Sequence, residues 1–326
     1  MKAIICTKYG PPEVLKMVDI ETPVPNDDQV LIKVYFTTVT VADCRVRGFN
    51  VPPSFWLPAK LALGFTKPRQ PILGTELSGV VEKVGKNVTK FKAGDKVFAF
   101  PGEKCGGYAE FICMDKNACI ALKPEHLSFE QAAALSMGGI TAWFFLEKGK
   151  VAKGEKLLIY GASGSNGTAA VQIAKYLGAQ VTAVCSTINL EMVKKLGADK
   201  VIDYTKTDFT GLGEKFDVVF DTVGKTDIPK TIKAIKPNGR YLHAVTTPMT
   251  ELKIRLNLLG TGIKLVGGTY SGSIEQLDFI KKLAEEGVFK PVIDRQYSFD
   301  EMVAAHEYVD KGHKKGNVTI KIVGEK

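Results

Sequence analysis

The chain has 326 residues, of which 45% are apolar and 24% charged, an ordinary balance for a soluble globular protein. At this length two domains are expected, because single cores rarely grow past about 250–300 residues. The net charge of +9 is carried by lysines spread along the whole chain, whereas a nucleic-acid footprint gathers them on one face, so nucleic acid is not an expected partner. No apolar run approaches the roughly 18 residues of a membrane span, and no membrane partner is expected. Residues 1–6 enter strand-like sequence at once, without the apolar run and cleavage site of an export signal; a cytoplasmic location is the expectation. The six cysteines are scattered and none forms C-x-x-C, which reads as reduced thiols.

Residues 1 to 125 read as short strands broken by turns. Residues 29–34 and 77–84 carry β-branched, partly alternating patterns, punctuated by glycine and proline at Gly10-Pro11-Pro12, Pro23, Pro25, Pro52-Pro53, Pro71 and Gly74. The apolar stretch 55–65 is either a core segment or a lid over a pocket, with core the plainer reading. Ser128 and Gln131 make a capping box for an Ala-rich helix. From about residue 155 strand and helix alternate. Strands are expected at 156–160, 180–185, 200–204, 216–220, 240–245 and 264–268, with helices at 168–177 and 190–196. Near-continuous apolar strands of this kind belong to a parallel sheet buried on both faces, so the fold class is α/β with a six-stranded doubly wound sheet. The tail predicts helices at 274–286 and 299–311 and a last strand at 317–323 that pairs back with the first region. The expected domains are therefore residues 1–125 with 268–326, and an inserted domain of residues 126–267.

The strongest local signal is Gly161-Ala162-Ser163-Gly164-Ser165-Asn166-Gly167, set between a buried strand and a helix. Gly164 is expected to let the backbone approach a pyrophosphate, and Gly167 to let the helix pack tightly on the sheet. The helix N-terminus then offers its N–H groups and dipole to the phosphates. Gly161, Ala162, Ser163, Gly164, Ser165 and Gly167 are thus candidate cofactor residues. A fold that prefers NAD places a carboxylate at the end of the second strand to hold the ribose 2′-OH. Here the strand runs into Ser186, Thr187, Ile188 and Asn189 with no carboxylate before Glu191. Ser186 and Thr187 are expected to donate to a 2′-phosphate, with Lys194 or Lys195 and Tyr204 assisting, which favours NADPH (NADP). No arginine stands in the turn to strengthen that reading.

These segments, with Gly74-Thr75-Glu76-Leu77-Ser78-Gly79, Phe91-Lys92-Ala93-Gly94-Asp95, Gly106-Gly107-Tyr108-Ala109-Glu110, Gly139-Ile140-Thr141-Ala142, Asp221-Thr222-Val223-Gly224 and Lys315-Gly316-Asn317-Val318, occur in order over nearly the full length. With them the chain resembles the medium-chain dehydrogenase/reductase superfamily, in its zinc-independent quinone oxidoreductase branch. The resemblance implies a β-rich domain like chaperonin-10 (GroES-like), a Rossmann domain, a site between them and a homodimer. It also implies that Thr141, Val223, Val245 and Asn317 line the cofactor, although simple packing explains Val223 and Val245 equally well.

Zinc-dependent alcohol dehydrogenases of that superfamily carry a Cys ligand in the segment that reads Val39-Thr40-Val41-Ala42-Asp43 here, and a His where this chain has Thr75. Hydroxyls are poor zinc ligands beside thiolate and imidazole, so no catalytic zinc is expected. Cys105 and Cys113 cannot by themselves close a four-cysteine structural site, and none of the four histidines is read as a ligand. Without a Lewis acid, conjugated acceptors are easier to reduce than simple carbonyls. The expected activity is NADPH-dependent reduction of quinones or α,β-unsaturated carbonyls. Thr40 is the candidate donor to the developing oxyanion, and Asp43 orients its neighbours. No tyrosine follows in the next loop, which leaves protonation to solvent. Phe55 and Trp56 either stack on a flat substrate or pack as wall. A weakly catalytic, cofactor-binding protein acting through RNA or a protein partner is the alternative, and a zinc alcohol dehydrogenase a distant third.

Overall fold

The structure is a computed structural model and describes residues 1–51, 56–245, 247–268 and 272–323. Strands β1 (Lys2–Cys6) and β2 (Leu15–Asp19) pair antiparallel, and the long β3 (Gln29–Val39) runs into helix α1 (Val41–Gly48) and then α2 (Trp56–Leu63). Strands β4 (Leu77–Val84), β5 (Lys96–Ala99), β6 (Phe111–Asp115) and β7 (Ile120–Leu122) follow, then helices α3 (Phe129–Ala133) and α4 (Ser136–Lys148). The alternating region is β8 (Lys156–Tyr160), α5 (Ser165–Tyr176), β9 (Gln180–Cys185), α6 (Leu190–Lys195), β10 (Lys200–Asp203), β11 (Phe216–Asp221), α7 (Ile228–Lys233), β12 (Ile235–His243), α8 (Pro248–Leu258) and β13 (Lys264–Val266). The tail holds α9 (Ile274–Glu285), β14 (Ile293–Ser298), α10 (Met302–Asp310) and β15 (Asn317–Lys321).

Contacts divide the chain into two units. The first comprises Met1–Met137, Ser271–Glu285 and Val292–Lys326; the second comprises Gly138–Tyr270 and Glu286–Pro291. The first division falls later than residue 125 because α3 is built into the first unit. Thr319 Oγ1 donates to Glu130 Oε1 at 2.7 Å, and Phe129 and Ala133 bury against Phe36. The short return of residues 286–291 is held by Gln172, whose side-chain amide bonds both the N–H and the carbonyl of Lys290 at 3.0 Å.

In the second unit six parallel strands lie in the order β10-β9-β8-β11-β12-β13, the doubly wound arrangement expected of its apolar strands. Leu157, Leu158 and Ile159 of the central β8 have no solvent exposure, because helices cover both faces of such a sheet. In the first unit a seven-stranded sheet runs β14-β15-β3-β4-β5-β7, with β6 also on β3. The last strand pairs back as expected, Val318 opposite Val39 in antiparallel register. Strand β14, parallel to β15, carries no alternating apolar signature and was not expected.

Residues 40–63 depart from the expected run of strands. Thr40 and Asp43 form a capping box that starts α1: the Thr40 side chain accepts from the Asp43 N–H, and the Asp43 carboxylate accepts from the Thr40 N–H. The expectation of a core segment at 55–65 also fails. Only Ala59 and Lys60 of α2 are buried, and Trp56, Leu57 and Leu61 face out. Phe55 lies outside the described residues.

Candidate functional site

The glycine loop opens at the carboxyl end of β8. Gly161 takes φ +80°, and a Cβ there would meet Thr222 Oγ1 at 2.7 Å and Val223 Cγ1 at 2.8 Å. Gly167 is closed on the inside: a Cβ would stand 2.2 Å from the Gly161 carbonyl oxygen and 2.6 Å from the Ala162 Cα. Gly164, the N-cap of α5, is different. Its φ of −79° suits any residue, and the nearest atom to a Cβ would be 3.8 Å away. Among the described residues nothing demands glycine at that position. A backbone left bare at the uncapped start of a helix fits a pyrophosphate, which needs the space and the N–H dipoles.

The other expected cofactor positions of this unit gather at the same edge. Ser186 and Thr187 follow β9, Tyr204 follows β10, Val223 follows β11 and Val245 follows β12, so all stand with the loop at the carboxyl ends of parallel strands, where open α/β sheets bind ligands. Val245 packs against Gly224, and Val223 against Gly161. Thr141, 3% exposed, sits on α4, whose Gly138 packs so closely on the Ser165 carbonyl that a Cβ would stand 2.8 Å from it. Two residues not singled out from sequence shape this edge. The buried Asp221 accepts from the N–H groups of Val223, Gly224 and Thr226, and Thr222 Oγ1 donates to the Tyr160 carbonyl at 2.9 Å. The Asp-x-x-Gly spacing is the signal that points to Asp221, since a carboxylate can accept several N–H groups of a tight turn.

The turn after β9 has no carboxylate of its own, but the structure brings one to it from the neighbouring strand. Asp203 pairs opposite Cys185 on the neighbouring strand, and its Oδ2 accepts from Thr187 Oγ1 at 2.5 Å. Thr205 donates to Oδ1 from both N–H and hydroxyl, and Lys206 Nζ lies 3.7 Å from Oδ2. The Thr187 hydroxyl holds Asp203 below the usual carboxylate range, with Thr205 and Lys206 adding to it. Thr187 has one proton, and it is spent on Asp203. Ser186 keeps its own, because its Oγ accepts from Asn189 Nδ2 at 3.1 Å. Lys194 is engaged with the Asp199 carbonyl, while Tyr204 is 48% exposed.

In the first unit, Thr40 and Asp43 head a buried polar network. Thr40 Oγ1 donates to Asp43 Oδ2 at 2.6 Å, so the hydroxyl read as an oxyanion donor has its proton committed. The Gly74 N–H donates to Asp43 Oδ1 at 3.0 Å, and Tyr108 also bonds the carboxyl; burial still raises the Asp43 pKa. Tyr108 Oη lies 3.1 Å from His306 Nε2, and Cys44 Sγ 3.4 Å from its Nδ1. Burial drives His306 down to about 3 and the Cys44 thiol well up, so imidazole and thiol are both neutral, which excludes Cys44 as a thiolate nucleophile. Thr38 Oγ1 and the Met137 N–H both donate at 2.6 Å to Glu76, whose pKa burial raises to about 7. Burial lowers Lys314 to about 8 against the pull of Glu76 and Asp294. Asn317, 5% exposed at the start of β15, spends its N–H and Nδ2 on the Val292 carbonyl and keeps Oδ1.

Thr75 Oγ1 is buried without a hydrogen-bond partner among the described residues. Among the same residues no group of three or more His, Cys, Asp and Glu side chains gathers to hold a metal ion. Cys105 and Cys113 instead line, with Cys119, a cavity of about 750 Å³, and burial raises all three thiols, Cys105 to about 12. No helix among the described residues is long and apolar enough to cross a membrane.

Residues 26–125 match the family model described as the alcohol dehydrogenase GroES-like domain, and residues 196–320 the one described as zinc-binding dehydrogenase. The chain is 34% identical over 334 residues to the 2-methylene-furan-3-one reductase of Solanum lycopersicum, covering 98% of this chain and 79% of that relative. It is 30% identical over 331 residues to the quinone oxidoreductase of Homo sapiens, covering 96% and 94%. A solved quinone oxidoreductase from Coxiella burnetii superposes with a TM-score of 0.88 at 31% identity, over 99% of each chain.

Proposed function

Because the chain belongs to the medium-chain dehydrogenase/reductase superfamily, in its quinone and alkenal/one oxidoreductase branch, we propose that it is an NADPH-dependent reductase of quinones or α,β-unsaturated carbonyls that works without zinc. The observation that carries this reading is the loop Gly161–Gly167, whose Gly164 leaves an open cradle at the N-terminus of α5 and whose Gly161 and Gly167 fit the chain to itself. When bound, NADPH supplies hydride from C4 of its nicotinamide. The residues of the loop hold the pyrophosphate, Ser186, Tyr204 and Lys206 meet the adenosine end, and Thr141, Val223 and Val245 line the remainder.

Hydride added to a quinone or to the β-carbon of an enone leaves charge on an oxygen that is already delocalised, which relaxes the demand for a Lewis acid. The demand has to be relaxed here, since Thr40 and Thr75 stand where the superfamily's zinc enzymes carry thiolate and imidazole. With its proton on Asp43, Thr40 offers lone pairs only; its role is to fix α1 and the Asp43 carboxyl, and protonation of the product oxygen falls to water. A homodimer is part of the same proposal. Supporting it, β13 is an edge strand of the parallel sheet, and the adjoining α8 exposes Met249, Leu252 and Leu256 along one face.

The test is turnover by chelator-treated protein on a panel of quinones, alkenals and enones with NADPH. Rates unchanged by the chelator support the proposal. Loss of NADPH oxidation on chelation and its return with added zinc would overturn it, in favour of a zinc alcohol dehydrogenase. Salt-sensitive RNA binding, displaced by NADPH and without turnover on any acceptor, would replace the enzyme by a cofactor-sensing binder.

A further inference from the structure

Helix α2 leaves an apolar face open to water. Trp56, Leu57 and Leu61 are 52%, 58% and 53% exposed, and Phe65, in the turn that follows, 57%. A helix on a protein surface usually turns charge outward, yet the one charged residue of α2 is turned in. Lys60 Nζ lies 4.3 Å from the ring centre of Tyr9, 4.2 Å from that of Phe49 and 5.3 Å from that of Trp56, and it donates to the Phe65 carbonyl. Tyr9 Oη adds a second tie to the Gly64 carbonyl at 2.9 Å. The helix is thus pinned through its cation, and Leu57 and Leu61 are left facing away from the protein.

The charged residues of the chain segment that carries this face have one sign. From Cys44 to Thr75 the sequence holds Arg45, Arg47, Lys60, Lys67 and Arg69 and no carboxylate at all. Arg47 is paired with Asp310 and Lys60 is caged, but Arg45, Lys67 and Arg69 are exposed and make no salt bridge among the described residues. The N–H of Arg69 bonds the Leu63 carbonyl at 2.7 Å, which sets Arg69 against the end of α2.

We infer that the exposed face of α2 and the turn after it dock on an anionic phospholipid surface. The apolar side chains enter the headgroup boundary, and Arg45, Lys67 and Arg69 meet the phosphates. Apolar side chains facing water beside exposed cations, in a segment without carboxylates, are the composition of a helix that docks at an anionic lipid interface. The expectation of no membrane partner rested on the length of a span, and a docking helix needs no such length. The inference stands apart from the proposed reductase activity, because docking is read without turnover.

The experiment uses the full chain with Trp143→Phe, which leaves Trp56 as its sole tryptophan. Vesicles are of phosphatidylcholine alone, or of phosphatidylcholine and phosphatidylglycerol in equal parts. Co-sedimentation and a blue shift of Trp56 emission are expected with the anionic vesicles only, and both weaken as salt is raised. Leu57→Ser with Leu61→Ser, and separately Lys67→Glu with Arg69→Glu, should each lower partitioning about tenfold or more while thermal melting stays unchanged. Failure of the parent to bind anionic vesicles overturns the inference, as does binding that neither pair of substitutions alters. Self-association abolished by the leucine pair, without vesicle binding, would assign the face to a second copy instead.

Discussion

Gly164→Ala and Gly167→Ala separate what the loop does for a ligand from what it does for the fold. At Gly167 a Cβ would lie 2.2 Å from a carbonyl oxygen, about 1.2 Å short of ordinary contact at 3.4 Å, and 2.6 Å from a Cα. Both obstacles are backbone, so no rotamer change relieves them and α5 must lift from the sheet. Overpacking of this kind costs about 1–3 kcal/mol or more, enough to lower the melting temperature by several degrees. At Gly164 the same methyl meets nothing nearer than 3.8 Å. Two small terms oppose each other there: lost freedom of the unfolded chain stabilises by about 0.4–1 kcal/mol, and a poorer N-cap costs a similar amount. Stability should change by less than about 1 kcal/mol. If the pyrophosphate lies against that bare backbone, however, the methyl stands in its place, and the overpacking cost becomes a loss of affinity of about tenfold to a hundredfold. Thermal melting and fluorescence titration with NADPH and NADH read the two effects apart. Unchanged dinucleotide affinity in Gly164→Ala would refute the assignment of the phosphate cradle.

Three further outcomes follow from the geometry. Asp203→Ala frees the Thr187 hydroxyl and removes a negative charge beside it, so calorimetric affinity for 2′,5′-ADP should rise severalfold relative to 5′-AMP; an unchanged ratio would place the 2′-phosphate elsewhere. His306, held at about 3 in the fold against about 6.5 in an unfolded chain, binds fewer protons when native between those values. Its contribution is intact above pH 6.5 and is lost as pH falls toward 3, at up to about 1.4 kcal/mol per unit. Urea melts should therefore show a flatter acid limb in His306→Gln than in the parent, and parallel limbs would count against a neutral buried imidazole. Asp310→Ala strands the buried Arg47 guanidinium, whose salt bridge spans 2.6 Å. The expected cost is about 3 kcal/mol, the low end for a broken buried pair because a third of Asp310 reaches solvent. A denaturant midpoint within error of the parent would show that water already serves Arg47.

Much of the second unit was legible because its determinants are local. Residues 156–160 and 180–185 are short apolar runs between turn signals, and the glycine loop announces itself by spacing alone. Ser128 and Gln131 form the capping box that their spacing predicts. Strand β14 and helix α1 were hidden for opposite reasons. The sequence of β14, Ile-Asp-Arg-Gln-Tyr-Ser, buries little, so it has no period to read. Thr40 and Asp43 did carry a capping signal, but the helix behind it buries Asp43, Cys44 and Arg47 and not an apolar stripe.

What sequence by itself determined was the alternation of strand and helix over residues 156–266 and the glycine spacing of residues 161–167 between a strand and a helix; these depend on residues adjacent in the chain. Only the tertiary structure decided where single protons go. Thr187 meets Asp203 sixteen residues away, and Cys44 meets His306 across 262, because strand pairing and helix packing bring distant side chains to hydrogen-bond range. A hydroxyl has one proton to give, so its donor role is set by whichever partner the fold delivers.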